Sequence, residues 1–186
     1  MEEILIRAMK SSDKAAVEQI CLATASDYLN STEELQEYTL LMYNRYYTRM
    51  LEDSFVAVNF NDEPIGYILC APDYDTYKSS FYRNELKQIK NISMFKCISA
   101  LGEIAYMKRY VKEYPAHLHI DILPQYQHMG IGHSLMNHLF AHLKSNSAAG
   151  VMLTVSSSNK NAILFYKKCG FKIIARGAGV VFGFRF

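Results

Sequence analysis

The sequence predicts a mixed α/β protein: one twisted, mostly antiparallel sheet of about seven strands, flanked by helices. Three observations carry this. Residues 116–144, AHLHIDILPQYQHMGIGHSLMNHLFAHLK, read as a strand, a tight turn and a helix. Ser54–Phe60 and Pro64–Ala71 read as a hairpin about Asn61-Asp62-Glu63, and Phe171–Arg176 with Val180–Phe186 as another about Gly177-Ala178-Gly179. Helical periodicities lie between these strands, so hairpins and crossovers mix.

Composition narrows the class. At 186 residues, half apolar and a fifth charged, the chain fits one soluble domain with a sizeable core. A net charge of +2 gives no electrostatic ground for a nucleic acid or an anionic membrane as partner. MEEILIRAMK is acidic where a secretory leader is basic, and no apolar run approaches the ~18 residues of a membrane helix. A cytoplasmic location is therefore expected. Cys21, Cys70, Cys97 and Cys169 are far apart with no C-x-x-C pair, which favours small core residues over a zinc cage.

Taken in order, Ile4–Met9 forms a first strand. Ser12 or Asp13 caps a helix that buries Ala16, Val17, Ile20 and Cys21. Thr32 starts a second helix, expected to run to about Leu51 and to carry Tyr38, Tyr43, Tyr46 and Tyr47, with Tyr28 just before it. These tyrosines read as amphipathic packing or as the lining of a pocket. Tyr77–Lys90 and Met94–Lys112 both contain helical stretches, and Lys87, Lys90, Lys108, Arg109 and Lys112 form a solvated face or, as the alternative, a basic patch towards a phosphate. Gly150–Val155 is the fifth strand. Asn161–Cys169 is a short helix ended by a left-handed Gly170.

The central unit carries the chemistry. Ile120 and Ile122 alternate with His119 and Asp121, giving a strand with two different faces that Pro124 ends. Leu135, Met136, Leu139, Phe140 and Leu143 mark one face of the helix. Between them, Gln127-His128-Met129-Gly130-Ile131-Gly132 sets two glycines at the helix entrance. Glycines there let the backbone approach a ligand, and the first N–H groups of a helix favour an anion. The string is neither the lysine-bearing phosphate loop nor the three-glycine dinucleotide fingerprint.

Ile122-x-Pro124-x-x-Gln127-x-x-Gly130-x-Gly132 resembles the acetyl-CoA-binding motif of the GCN5-related N-acetyltransferase (GNAT) family. Asn159-x-x-Ala162-Ile163-x-x-Tyr166, followed by Cys169-Gly170-Phe171, resembles the same family's fourth helix. YPAHLHIDILPQYQ and NKNAILFYKKCGF are most similar to the acetyltransferase-like domain of O-GlcNAc hydrolases and related free-standing bacterial proteins. The resemblance is thinnest over 73–114, which stands out as a helical insertion within a single 1–186 domain. It implies strands four and five that splay apart, and direct acetyl transfer from acetyl-CoA to an amine acceptor. Dimers are common in that family.

The resemblance also implies roles. Ile120, Ile122 and Leu123 would offer backbone to the pantetheine, with the oxyanion donor near Ile122. Gln127, His128, Met129, Gly130, Ile131, Gly132 and His133 would cradle the pyrophosphate. Asn159 would touch the pantetheine or simply cap its helix. Tyr166 would protonate the departing sulfur, although its spacing with Ile163 and Cys169 also suits plain core. Many relatives place a glutamate where Ala116 and Thr154 stand here. The base candidates are Asp121 and His119, with Glu103 behind them. That missing glutamate leaves open an alternative, a non-catalytic acetyl-CoA- or partner-binding module. His133, His138 and His142 read as a solvated face, and no metal is expected.

Overall fold

The computed structural model describes residues 4–177 and 179–186, so Ala178 in the last expected turn lies outside the described residues. In chain order the elements are β1 (Leu5–Ala8), α1 (Lys14–Thr24), α2 (Glu33–Tyr43), β2 (Phe55–Val58), β3 (Pro64–Ala71), α3 (Tyr74–Asn84), α4 (Leu86–Ile92), α5 (Met94–Met107), β4 (Ala116–Ile122), α6 (Ile131–Ser145), β5 (Gly150–Val155), α7 (Lys160–Lys168), β6 (Lys172–Arg176) and β7 (Val180–Arg185). The seven strands form one sheet in the order β1-β2-β3-β4-β5-β7-β6. Every neighbouring pair is antiparallel except β4 and β5.

Strand pleating divides the core into two layers. On β3, Tyr67, Leu69 and Ala71 join the layer made with α1 to α5, while Ile68 and Cys70 join the layer under α6 and β5. Covering on both faces explains why β3 reads as an almost unbroken apolar run. On β4 the same alternation sends Leu118 to the α6 side and the polar set His117, His119 and Asp121 to the helical layer.

Two boundaries differ from the sequence expectation. The second helix stops at Tyr43, not near Leu51. Asn44 leaves the helical region and donates its Nδ2 to the Val17 carbonyl of α1 at 3.3 Å. A long-range contact thus ends the helix, and two single 3₁₀ turns follow at Tyr47–Arg49 and Leu51–Asp53. Asp13 does not cap α1 forwards. Its carboxylate turns back to the Lys10 N–H at 2.7 Å and to Arg7 at 2.7 Å. Thr32 does cap α2, accepting from the Leu35 N–H.

Three helices separate β3 from β4. Asp73 caps the first through the Thr76 N–H, and Ser93 caps the third through the Lys96 N–H. Lys87, Lys90, Lys108, Arg109 and Lys112 are exposed, as the solvated-face reading expects. No helix among the described residues is long and apolar enough to cross a membrane.

Candidate active site

The pairing of β4 with β5 covers Ala116 with Val151 and His117 with Met152, and stops there. Beyond it each strand stays with its own neighbour: β4 with β3 as far as Ile122, and β5 with β7 along its whole length. The Leu123 N–H donates to the Ile65 carbonyl at 3.0 Å, on the β3 side. Successive residues of a strand turn their polar groups to opposite edges, so those of Ile120 and Ile122 face the gap. Gln127 Nε2 donates to the Ile122 carbonyl at 2.9 Å, which leaves the Ile122 N–H as the donor at this edge.

A cavity of about 1260 Å³ occupies the gap. One end is walled by Gln127, His128, Gly130 and Gly132, with Asn159 and Ala162 of α7. The other reaches the helical layer at Tyr43, Tyr47, Tyr77 and Glu103. Asp121 and Tyr166 line it between these ends.

The two glycines of the loop do different work. Gly130 has φ +83° directly before α6, and a Cβ built there would meet nothing within 4 Å. Its space is open on the cavity side, and its backbone angle favours glycine. Gly132 is buried instead, and a Cβ there would come within 3.0 Å of the Phe165 ring. Its smallness lets α6 pack on α7. His128 also takes a left-handed angle, φ +63°. Met129 is exposed, Ile131 is in the core, and Leu123 packs against the helical layer. None of these three side chains lines the cavity, so the loop presents backbone rather than side chains there. His133 lines the cavity, with its ring 5.3 Å from that of Phe165.

Asn159 Oδ1 accepts from the Ala162 N–H at 3.0 Å, so the capping reading holds, and the residue also lines the cavity. Tyr166 is buried among Phe165, Phe171 and Phe182. It is therefore both core and cavity wall. Burial, together with the charge of Asp121, pushes its phenol well above the usual range, so it is a proton donor at neutral pH. Asp121 is half-buried, and burial raises its carboxyl to about 6 despite the Tyr67 hydroxyl that donates to it. His119 Nε2 lies 3.0 Å from the Tyr47 hydroxyl, and burial lowers its ring to about 4. At neutral pH that ring is uncharged and weakly basic. Burial raises Glu103 as well. Of the three base candidates, Asp121 is closest in sequence to the Ile122 donor, and its carboxyl at about 6 suits a base working near neutrality.

The positions lacking the glutamate are accounted for. Ala116 is fully buried where β4 and β5 join, and Thr154 is an exposed part of the cavity wall. Of the tyrosines around α2, Tyr43 and Tyr47 line the cavity, Tyr38 and Tyr46 are buried outside its lining, and Tyr28 is exposed. The histidines of α6 are not all solvated: His142 Nε2 meets Asp53 Oδ1 at 2.8 Å, while His138 bonds the Ser134 carbonyl. Among the described residues no group of three or more His, Cys, Asp or Glu side chains is placed to hold a metal.

Sequence reasoning missed Tyr67, which faces Asp121 across the β3–β4 register. It also missed His117, buried on the cavity wall with neither ring nitrogen partnered. The alternation that singles out His119 and Asp121 reaches His117 two residues earlier, so that signal was present. Tyr67 had none, because only strand register brings it there.

Nearly the whole chain superposes on solved structures. SsHAT is 25% identical, with a TM-score of 0.86 over 98% of both chains. The PaiA N-acetyltransferase from Thermoplasma acidophilum, solved in complex with coenzyme A, is 16% identical, with a TM-score of 0.62 over 99% of each chain. The ribosomal-protein-S18-alanine N-acetyltransferase from Escherichia coli is 16% identical, with a TM-score of 0.57 over 98% of this chain and 94% of that one. The last two likenesses speak to the fold alone. The model of the acetyltransferase (GNAT) family matches residues 18–171, and with the splayed β4–β5 gap and the glycine loop at its mouth, the chain belongs to that family.

Proposed function

We propose that this protein is an N-acetyltransferase that moves the acetyl group of acetyl-CoA directly to an amine. The observation that carries the reading is the gap beside β4: a strand edge with free polar groups, opening at one end on a helix N-terminus entered through Gly130. Such an edge pairs with an extended amide chain as a strand would, and the loop suits a pyrophosphate.

The residues divide the reaction as follows. The Ile122 N–H donates to the thioester oxygen as negative charge develops there. Asp121 takes the proton that an ammonium acceptor must lose before it can attack. Tyr166 gives its proton to the sulfur as the carbon–sulfur bond breaks, the attacking nitrogen loses its second proton to return the phenolate to the phenol, and the proton held by Asp121 passes to solvent. Gln127 acts as a positioning residue by holding the Ile122 carbonyl. No cysteine stands in a motif for a covalent acetyl-enzyme, which favours direct transfer. Kinship with the O-GlcNAc-hydrolase type of acetyltransferase-like domain, suggested by the strings around β4 and α7, belongs to this same proposal.

The small residues at Ala116 and Thr154 favour one second reading, a module that binds acetyl-CoA without turnover. One experiment separates the two. Acetyl-CoA at a hundred times its dissociation constant should stabilise the fold by about 2.7 kcal/mol, several degrees of melting temperature. No shift at millimolar acetyl-CoA sinks both readings. A shift without transfer to any member of an amine and peptide panel leaves the binding module.

A further inference from the structure

The cavity is electrostatically divided. Lys168, His128 and His133 line it on the loop and α7 side, and no other Lys or Arg lines it. Away from these lie two carboxylates: Glu103 at the helical-layer end, which Tyr43 and Tyr77 also line, and Asp121 between the two ends. Glu103 comes from α5, and among the described residues no side-chain hydrogen bond or cation offsets its burial. Glu103 shares the cavity wall with Tyr43, Tyr47 and Tyr77, and its charge raises the phenols of all three. His117 adds an independent mark. It is 3% exposed, its ring lies 4.4 Å from that of Tyr77, and both nitrogens lack partners. Burial keeps that ring uncharged, so it offers a lone pair and repels no cation.

A desolvated carboxylate without a counterion is costly, whereas one set beside aromatic faces is how proteins receive an ammonium. We propose that the acceptor is a small linear amine bearing a second positive charge, its reacting nitrogen at Asp121 and its second cation seated between Glu103 and the Tyr43 ring. The inference rests on the acetyl-transfer reading and narrows its substrate class. His119 lies two residues from Asp121 on the same face of β4, roughly 7 Å away, and the Tyr43 ring stands 5.3 Å from the His119 ring. Asp121 and the Tyr43 end of the wall are therefore linked through His119, and short linear diamines are the fitting probes.

The test compares 1,5-diaminopentane and 1,4-diaminobutane with 1-aminopentane, at saturating acetyl-CoA, by thiol release. The diamines should show kcat/KM at least about tenfold above the monoamine, which corresponds to ~1.4 kcal/mol. In Glu103→Gln that ratio should fall towards one, mainly through KM. Equal kcat/KM for diamine and monoamine in the unaltered protein overturns the inference, as does a ratio that survives Glu103→Gln. If no amine is acetylated, calorimetry on the CoA-saturated protein decides instead. Diamine binding stronger than monoamine binding, and dependent on Glu103, supports the subsite even though transfer has failed. No diamine binding overturns it. Loss of the acetyl-CoA thermal shift, by contrast, refutes the acetyl-transfer reading itself.

Discussion

Replacing Asp121 by Asn should make the protein more stable and less active, each by an amount the structure sets. The carboxyl titrates at about 6 in the folded protein because burial penalises its charge. In the unfolded chain it titrates near 3.9. Between those values the folded state holds the proton and the unfolded state does not. Stability therefore falls as pH rises through the window, and above about pH 6 the full cost is borne. Two units correspond to an upper bound of about 3 kcal/mol. Asp121 is half-buried on a water-accessible wall, so about 1–2 kcal/mol is the better figure after screening. For a chain of this length that is about 2–8 °C. Asn keeps an oxygen for the Tyr67 hydroxyl, so little geometry is lost.

The same change removes the proposed base. In the unaltered protein the rate at saturating acetyl-CoA should climb through about pH 6 and level off. In Asp121→Asn it should drop by about 10²–10⁴-fold and keep rising with the free amine, whose pKa lies near 10.4. Melting curves from pH 4 to 9 and a pH–rate profile read both effects. The stability gain should vanish below about pH 4. A variant that melts lower at pH 7.5 would show Asp121 to be structural. An unchanged rate and profile would move the base to His119, Glu103 or water.

Two further substitutions probe the gap. Gly130→Val places a branched residue at φ +83°, a strain of about 1–2 kcal/mol, and fills space on the cavity side; the fold should survive while the acetyl-CoA thermal shift is lost, and normal binding would show the loop misassigned. Tyr166→Phe keeps the packing against Phe165, Phe171 and Phe182 but removes the proton. Its kcat should fall about 10²–10⁴-fold with acetyl-CoA affinity nearly intact, and an unchanged kcat returns Tyr166 to the core.

What was legible in the sequence was local. The β4–loop–α6 unit shows itself because an alternating strand, Pro124, two glycines and a helical stripe are all readable within 116–144. The Asn159 cap and the left-handed Gly170 are equally local. What escaped was set by distant neighbours. The end of α2 depends on Asn44 reaching α1, 27 residues away. Gln127 stands in the string that resembles a pyrophosphate motif, yet its side chain is bonded to the Ile122 carbonyl. The pairing of Tyr67 with Asp121 spans 54 residues and exists only through β3–β4 register. A carboxylate's place in a strand pattern shows which face it occupies. Its acidity depends on what covers that face, and here part of that cover is α1, about 100 residues earlier in the chain.

The gap itself follows from how each strand is fastened. β5 gives all six of its residues to β7. A Cβ at Gly150 would come within 2.6 Å of the Glu113 carbonyl, and one at Gly183 within 2.6 Å of the Tyr114 ring. Only glycine admits that approach, so the segment leading into β4 is clamped onto β5 and β7 at the joined end. At the other end β4 is held by β3. A Cβ at Gly66 would lie 3.0 Å from Ile122 Cγ1, and the Leu123 N–H is bonded to Ile65. With its start tied to one half of the sheet and its end to the other, β4 leaves β5 after two residue pairs. The apolar side chains of Ile120 and Ile122 still pack beneath α6, so splaying costs little hydrophobic burial. It leaves instead a short row of backbone groups without strand partners, each worth about 1 kcal/mol when a hydrogen bond is made. A ligand with amides spaced like a strand recovers those bonds, and its affinity draws on an edge that the fold holds open before anything binds.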